Sequence, residues 1–383
     1  MTAEVNTPRA HRQPQPVTAA DGTDDVGSMS QWQLIGLRFK RHKLAVISLR
    51  ILAVLYVVVL FAEFFAPYTK TWYDLDHIYS PPQIPRFSFK HGLYVKPVRM
   101  QVDPLTLKRS YTLDEEGVVK LGFFVKGEPY NFFGIFTARR HVFGIKNPEE
   151  AAGQTFFLLG GDKYGRDLFS RILYGARISL SVGLLGIAIS FLLGISIGGI
   201  SGYAGGVIDN LIQRAIEIIN AFPKLPLWLA LGAMMPADWS PLRVYFGITI
   251  VLSLMAWTGL ARVVRGKILS LREEDYAVAA RLLGASHGRI IGRHLLPGFT
   301  SHIIVALTMS LPRMILAETS LSFLGLGLRP PVVSWGVLLQ DCMNMQIVAN
   351  YPWLLLPVVF IIVTVLSFNF LGDGLRDATD PYR

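Results

Sequence analysis

The stretch Ala277–Pro297, AVAARLLGASHGRIIGRHLLP, decides how this chain is read. It has a helical composition, carries three arginines, and shows small residues where a helix normally shows bulk. Extended upstream to Glu273–Leu283, EEDYAVAARLL, it puts acids in the first turn, where the helix dipole favours them. Tyr276, Ala279, Ala280 and Leu283 recur at i, i+3, i+4 and i+7, so the spacing predicts one shared face, apolar but shallow. Gly284 stops the helix, Ser286 and His287 turn the chain, and GRIIGRHLL starts a second helix that ends before Pro297. The expected product is a compact helix-turn-helix with a ridge of small residues. That ridge has three possible uses: entering a groove on another protein, packing on the chain's own helices, or binding DNA.

The surroundings of the stretch weigh on that choice. The chain has 383 residues, is 51% hydrophobic and has a mean hydropathy of +0.41. Soluble domains rarely average that apolar, so several segments are expected in a bilayer. Six spans are legible: Leu44–Phe65, Ile178–Tyr203, Ala215–Met235, Val244–Leu260, Thr300–Leu326 and Trp353–Leu371. The third is the weakest, because it holds Glu217, Lys224, Pro223 and Pro226. The net charge is +10, and its location is informative. Residues 33–50 hold five Lys/Arg and no acid, and residues 261–293 hold seven Lys/Arg against three acids. Both patches flank apolar spans, so they read as the positive-inside bias of a membrane protein; no nucleic-acid partner is expected. Six spans put both termini on one side, and the charge puts that side in the cytoplasm, together with the loop 262–298.

The expected fold is therefore an all-α polytopic membrane protein with six transmembrane helices. It divides into a disordered tail (1–30), a basic surface helix and first span (31–65), an extracytoplasmic segment (66–177), a membrane core (178–371) and a C-terminal tail (372–383). Short alternating runs broken by Gly, Pro and Asp in the 66–177 segment predict a small β-rich insertion between the first two spans.

Within the membrane, Gly194, Gly198 and Gly202 fall four apart on one helix face, suited to close packing within this chain or against a partner. Arg313 and Glu318 are costly in lipid, so they are expected to face a partner, a watery cavity or each other's neighbourhood, in structural pairing or in contact with substrate; five residues apart, they do not share a face and are not expected to pair directly. Chemistry-bearing motifs are missing from the sequence. Cys342 is the single cysteine, so neither an intrachain disulfide nor a cysteine metal cluster can form. The eight histidines are scattered, and no Gly-x-x-x-x-Gly-Lys-Ser/Thr occurs, so this chain lacks its own P-loop. No catalytic, cofactor-binding or metal-ligating residues are expected.

VAARLLGASHGRIIGRHLLP resembles the coupling-loop signature of ABC importer membrane subunits: Glu-Ala-Ala, three residues, Gly, nine residues, Ile, one residue, Leu-Pro. Ala279, Ala280, Gly284, Leu296 and Pro297 match it, while Val278 stands at the Glu position and His294 at the Ile position. LGGDKYGRDLFSRILYGARISL (Leu159–Leu180), LSFLGLGLRPPVVSWG (Leu321–Gly336) and the ending LGDGLRDATDPYR resemble the oligopeptide, dipeptide and nickel subclass of these permeases. The resemblance covers Gln31–Phe65 and Leu159–Arg383.

It implies a transport subunit and not an enzyme, in the bacterial inner membrane. Its partners would be a second homologous permease, two ATPase subunits that bind the ATP, an extracytoplasmic substrate-binding protein and membrane lipid. It implies that Asp275, Tyr276, Ala279, Ala280, Leu283, Gly284 and Pro297 form the ATPase-coupling site. It also implies that Gly165, Arg166 and Asp167 seat an amphipathic segment near the outer mouth, where an ordinary ion pair or turn is an equal alternative. The cargo would be peptides, or alternatively oligosaccharides, opines or nickel chelates. A stand-alone secondary transporter would need paired inverted halves, and none is evident. An extracytoplasmic enzyme would need a titratable cluster, and His91, Asp103, Asp114, Glu115 and Glu116 lack catalytic spacing.

Overall fold

The computed structural model describes residues 30–102, 104–105, 109–132, 134–146, 154–236 and 238–380. The expected disordered tail lies outside these residues except for Ser30, as does the last part of the expected C-terminal tail, 381–383.

The chain opens with α1 (Gln31–Arg41), whose start is closed by a capping box. Ser30 Oγ accepts from Gln33 N, and Gln33 Oε1 accepts from Ser30 N at 2.8 Å. α2 (Lys43–Leu60) follows, long and apolar enough to cross a membrane, then the short α3 (Ala62–Phe65).

A β-rich region comes next. β1 (Arg86–Ser88), β2 (Gly92–Val95), β5 (Val119–Phe132) and β6 (Phe136–Ile145) form an antiparallel four-stranded sheet in the order β1-β2-β5-β6; β3 (Val98–Val102) and β4 (Arg109–Leu113) pair separately. Alternation buries Val95, Val119 and Leu121 with Phe156 in a small core of its own.

The helical body begins with α4 (Leu168–Ala204), which starts ten residues before the expected span because Asp167 caps it there. α5 (Gly206–Ala221), α6 (Lys224–Ala233) and α7 (Pro241–Leu271) follow. α8 (Asp275–Leu282) and α9 (His287–Arg289) form the turn region. The remaining helices are α10 (Thr300–Phe323), α11 (Trp335–Leu338), α12 (Met345–Asn350) and α13 (Leu356–Thr379).

Five helical stretches among the described residues are long and apolar enough to cross a membrane: 43–60, 168–204, 241–271, 287–323 and 352–379. Where the sequence predicts a further span, Ala215–Met235, there are two shorter helices. The break falls at Phe222, which is extended (φ −79°, ψ 135°), as a residue before proline prefers, and Pro223 has no N–H to continue the ladder. The C-terminal stretch, expected as a tail from 372, instead continues α13 to Thr379. There Gly374 lies so close to α2 that an added Cβ would meet the Ala45 methyl at 2.2 Å.

α4 and α7 pack along the glycine face. A Cβ on Gly198 would lie 2.5 Å from the Ala261 carbonyl oxygen, and one on Gly202 would lie 2.8 Å from that of Arg265. The glycine repeat therefore serves contact within this chain. A second core joins α2, α4, α10, α11 and α13 around the fully buried Trp335, whose indole N–H donates to the Ile172 carbonyl at 3.2 Å.

Candidate functional site

α7 ends at Leu271, and Arg272 reaches back to close the end of α4. Its Nη1 donates to the Gly202 and Tyr203 carbonyls at 3.1 and 3.2 Å, satisfying acceptors that the last turn leaves open. α8 then runs from Asp275, an acid in the first turn, to Leu282. The expected helix was longer by two residues at its start. It ends in a Schellman turn: Gly284 N donates to the Arg281 carbonyl and Ala285 N to the Ala280 carbonyl, both at 3.0 Å. Gly284 has φ +79°, and nothing lies within 4 Å of where a Cβ would sit. The position needs glycine for its backbone conformation, not for space.

The expected single face is divided in the structure. Ala277 and Ala280 turn inward, 3% and 9% exposed, onto Ile290, Leu295 and Phe299 of the returning chain and Val264 and Ile268 of α7. Ala280 thus belongs to the inner contact, where a larger side chain would lift α8 off its support. Tyr276, Leu282 and Leu283 turn outward, 45%, 81% and 88% exposed, with Asp275, Ala279 and Gly284 exposed beside them. Leu282 is the residue that the i, i+3, i+4, i+7 template missed. It sits next to Leu283 at the frayed end, where the helical period stops governing direction.

The second helix does not end before Pro297. α9 passes into a π-helical stretch, Ile290–Leu295, and then a 3-10 turn, Leu296–Phe299, that leads straight into α10. Pro297 sits at the start of that turn, where its missing N–H costs nothing.

The segment before α4 forms a tight hub. Asp162 Oδ1 accepts from the backbone N–H of Tyr164 (2.8 Å) and Arg166 (3.1 Å), and its Oδ2 accepts from Arg166 Nε at 2.7 Å. Buried Arg171 lies 3.4 Å from the same oxygen. Gly165 (φ +67°) lets the Asp74 backbone pass so closely that a Cβ would stand 1.7 Å from its carbonyl oxygen. Asp167 Oδ2 caps α4, accepting from Ser170 N at 2.7 Å and Ser170 Oγ at 2.6 Å. Burial pushes the Asp167 carboxyl up to about 6, against those two hydrogen bonds that favour its ionised form. Lys163 pairs with Asp341 at 2.8 Å, and Trp353 Nε1 donates to the Gly161 carbonyl. Gly165, Arg166 and Asp167 therefore belong to one structured turn at the start of α4, organised by Asp162, which the sequence reading did not single out.

Residues 194–382 match the family model described as the binding-protein-dependent transport system inner membrane component. Residues 30–82 match the N-terminal TM domain of oligopeptide transport permease C. The chain is 32% identical over 371 residues to the dipeptide transport system permease protein DppC of Lactococcus lactis, covering 94% of each. It is 41% identical over 222 residues to DppC of Bacillus subtilis, covering 58% of this chain and 68% of that one. Against the oligopeptide transport system permease protein OppC of Escherichia coli it is 40% identical over 240 residues, covering 61% and 74%. The chain belongs to this family of ABC importer permeases. At 94% coverage, the Lactococcus match runs through the β-rich region as well as the helical body.

Inside the permease, the two intramembrane polar residues part company. Glu318 is fully buried; Ser179 Oγ and Ser322 Oγ donate to its two oxygens at 2.9 and 2.8 Å, and Ser179 Oγ accepts from Trp335 N. It joins α4, α10 and the start of α11. Arg313 instead lines a cavity between α6, α7 and α10. The two do not form a pair.

Proposed function

We propose that this permease supplies one half of the translocation path of an ATP-driven importer, and that an ATPase subunit docks on α8. The observation that carries this reading is the pair of opposed faces on α8. A small-residue face holds it against α7 and α10, and an apolar face of Tyr276, Leu282 and Leu283 is left uncovered. Contiguous exposed apolar side chains of this size mark an interaction surface. Movement of a docked subunit would pass through α8 to the start of α10 and the end of α7, in a switch between inward- and outward-open states.

Both termini and α8 lie in the cytoplasm in this reading. The basic patches at 33–50 and 261–293 support that side. Five long helices alone would leave the termini on opposite membrane faces, so α5 and α6 together make the sixth crossing, broken at Pro223. The β-rich region then lies outside. Stacking of Phe132 on Phe61 (5.5 Å between centroids) and contact of Phe124 with Phe64 support its position at the outer end of the first span. The further partners are a second permease and a binding protein that delivers the cargo. ATP is held by the ATPase subunits, and this chain performs no bond chemistry. The cargo is peptides, as the names of the dipeptide and oligopeptide relatives suggest.

Reconstitution with a partner permease, ATPases and binding protein tests this. Uptake of a radiolabelled peptide mixture should require ATP and fall to background when Leu282 and Leu283 are both changed to Asp. Peptide uptake independent of ATP, or import of an oligosaccharide, opine or nickel chelate in its place, would overturn the reading.

A further inference from the structure

A cavity of about 500 Å³ opens between α6, α7 and α10. Three of its lining side chains are cations from three different helices: Lys224, Arg262 and Arg313. Among the described residues, none of the three has a hydrogen-bond or ion-pair partner, whereas Arg171, Arg177, Arg265 and Arg272 all do. No carboxylate among the described residues lines the cavity. Arg313 stands in the middle of α10, a depth at which an uncompensated guanidinium is costly unless it faces water or a counter-charge. The Trp228 side chain closes part of the wall, its indole nitrogen buried away from the space. Three cationic donor groups thus line one space, with no hydrogen-bond or ion-pair partner among the described residues. The rest of the wall includes Met309 and Met314, flexible and polarisable side chains that adapt to irregular apolar shapes.

We propose that this cavity binds the carboxylate of the translocating solute, with Lys224, Arg262 and Arg313 as donors and the methionines receiving its variable remainder. The proposal rests on the peptide-importer reading. Peptides of any sequence share a terminal carboxylate and differ in side chain, which is the combination of fixed charge recognition and adaptable apolar surface found here. Guanidinium groups suit the carboxylate because they donate in a planar fork.

The test uses the complete transporter, with partner permease, ATPases and binding protein, in phosphatidylcholine vesicles. Uptake of a radiolabelled mixture of di- to pentapeptides and ATP hydrolysis stimulated by the loaded binding protein are measured together. Arg313→Gln and Arg262→Gln should each lower uptake by about tenfold or more, the worth of a charge-assisted hydrogen bond, with stimulated ATP hydrolysis kept within about twofold. Arg313→Lys should restore most of the uptake. Lys224→Gln, on the separate helix α6, should lower uptake in the same direction. Undiminished peptide uptake in the glutamine variants would overturn the carboxylate site while leaving the importer reading intact. Joint loss of uptake and ATP stimulation, unrestored by lysine, would also overturn it, by assigning the cations to the partner permease. Absence of peptide uptake by the unaltered transporter would instead remove the peptide-importer reading itself.

Discussion

Arg265 donates Nε and Nη2 to the two carboxylate oxygens of Asp209, at 2.5 Å each, tying α7 to α5. Ser201 of α4 donates to the same carboxylate, and Gln213 donates to Ser201. Three helices therefore meet at one charge-assisted junction, next to the Arg272 cap on the end of α4. In the proposed coupling role of α8, such a junction would serve as a stiff base, because a lever transmits displacement only if its base is stiff. Asp209→Asn should lower stability by about 1.5–3 kcal/mol, the worth of hydrogen bonds to a charged group, with the loss largely shared by Arg265→Gln in a double-mutant cycle. Thermal unfolding of the detergent-solubilised permease measures it.

The contact of α4 with α7 is set by backbone proximity at Gly198. A Cβ there stands 2.5 Å from the Ala261 carbonyl oxygen, which cannot swing aside as a flexible side chain would. Gly198→Ala should cost about 1–3 kcal/mol as overpacking, and Gly198→Leu more. Gly259, with nothing within 4 Å of an added Cβ, serves as the control on α7, and Gly259→Ala should be nearly neutral. Unfolding temperatures of the three variants decide this.

These two junctions differ in how far the chain announces them. The Gly194, Gly198, Gly202 spacing is a local pattern, and the helix face that it predicts is the one that packs. The turn after α8 was legible for the same reason, since Gly284 answers to its own backbone. The Asp209–Arg265 pair spans 56 residues, and the Asp162 hub gathers groups from the loop at Asp74, from α4 and from the chain near Asp341. Nothing in a linear pattern marks such partners. Direction was also only partly legible on α8. Small residues on a helix read equally well as a ridge for a partner and as a close approach to the chain's own helices, and Ala280 took the second role while Tyr276 and Leu283 remained outward. The third expected span failed as a continuous helix for a local reason that the sequence did contain, the proline at 223.

The buried cap of α4 should be sensitive to pH. Burial raises Asp167 to about 6 from an ordinary 3.8, so the folded state holds its proton more tightly than the unfolded chain does. The associated stability is fully present below about pH 4 and is lost as pH rises through about 6. The wild-type permease should therefore lose stability between pH 4.5 and 7.5 relative to Asp167→Asn, which keeps an acceptor for Ser170 and cannot ionise. The difference should be on the order of 2–3 kcal/mol. Equal pH profiles for the two proteins would contradict this placement of the carboxyl.

The outward face of α8 is reached most directly by chemical accessibility. With Cys342 replaced by serine, Leu283→Cys is the single thiol of the chain. A membrane-impermeant maleimide should label it in inside-out vesicles and not in right-side-out ones, and ATPase subunits bound to the permease should shield it. Labelling from the outer side, or labelling from the inner side undiminished by bound ATPase, would contradict the account.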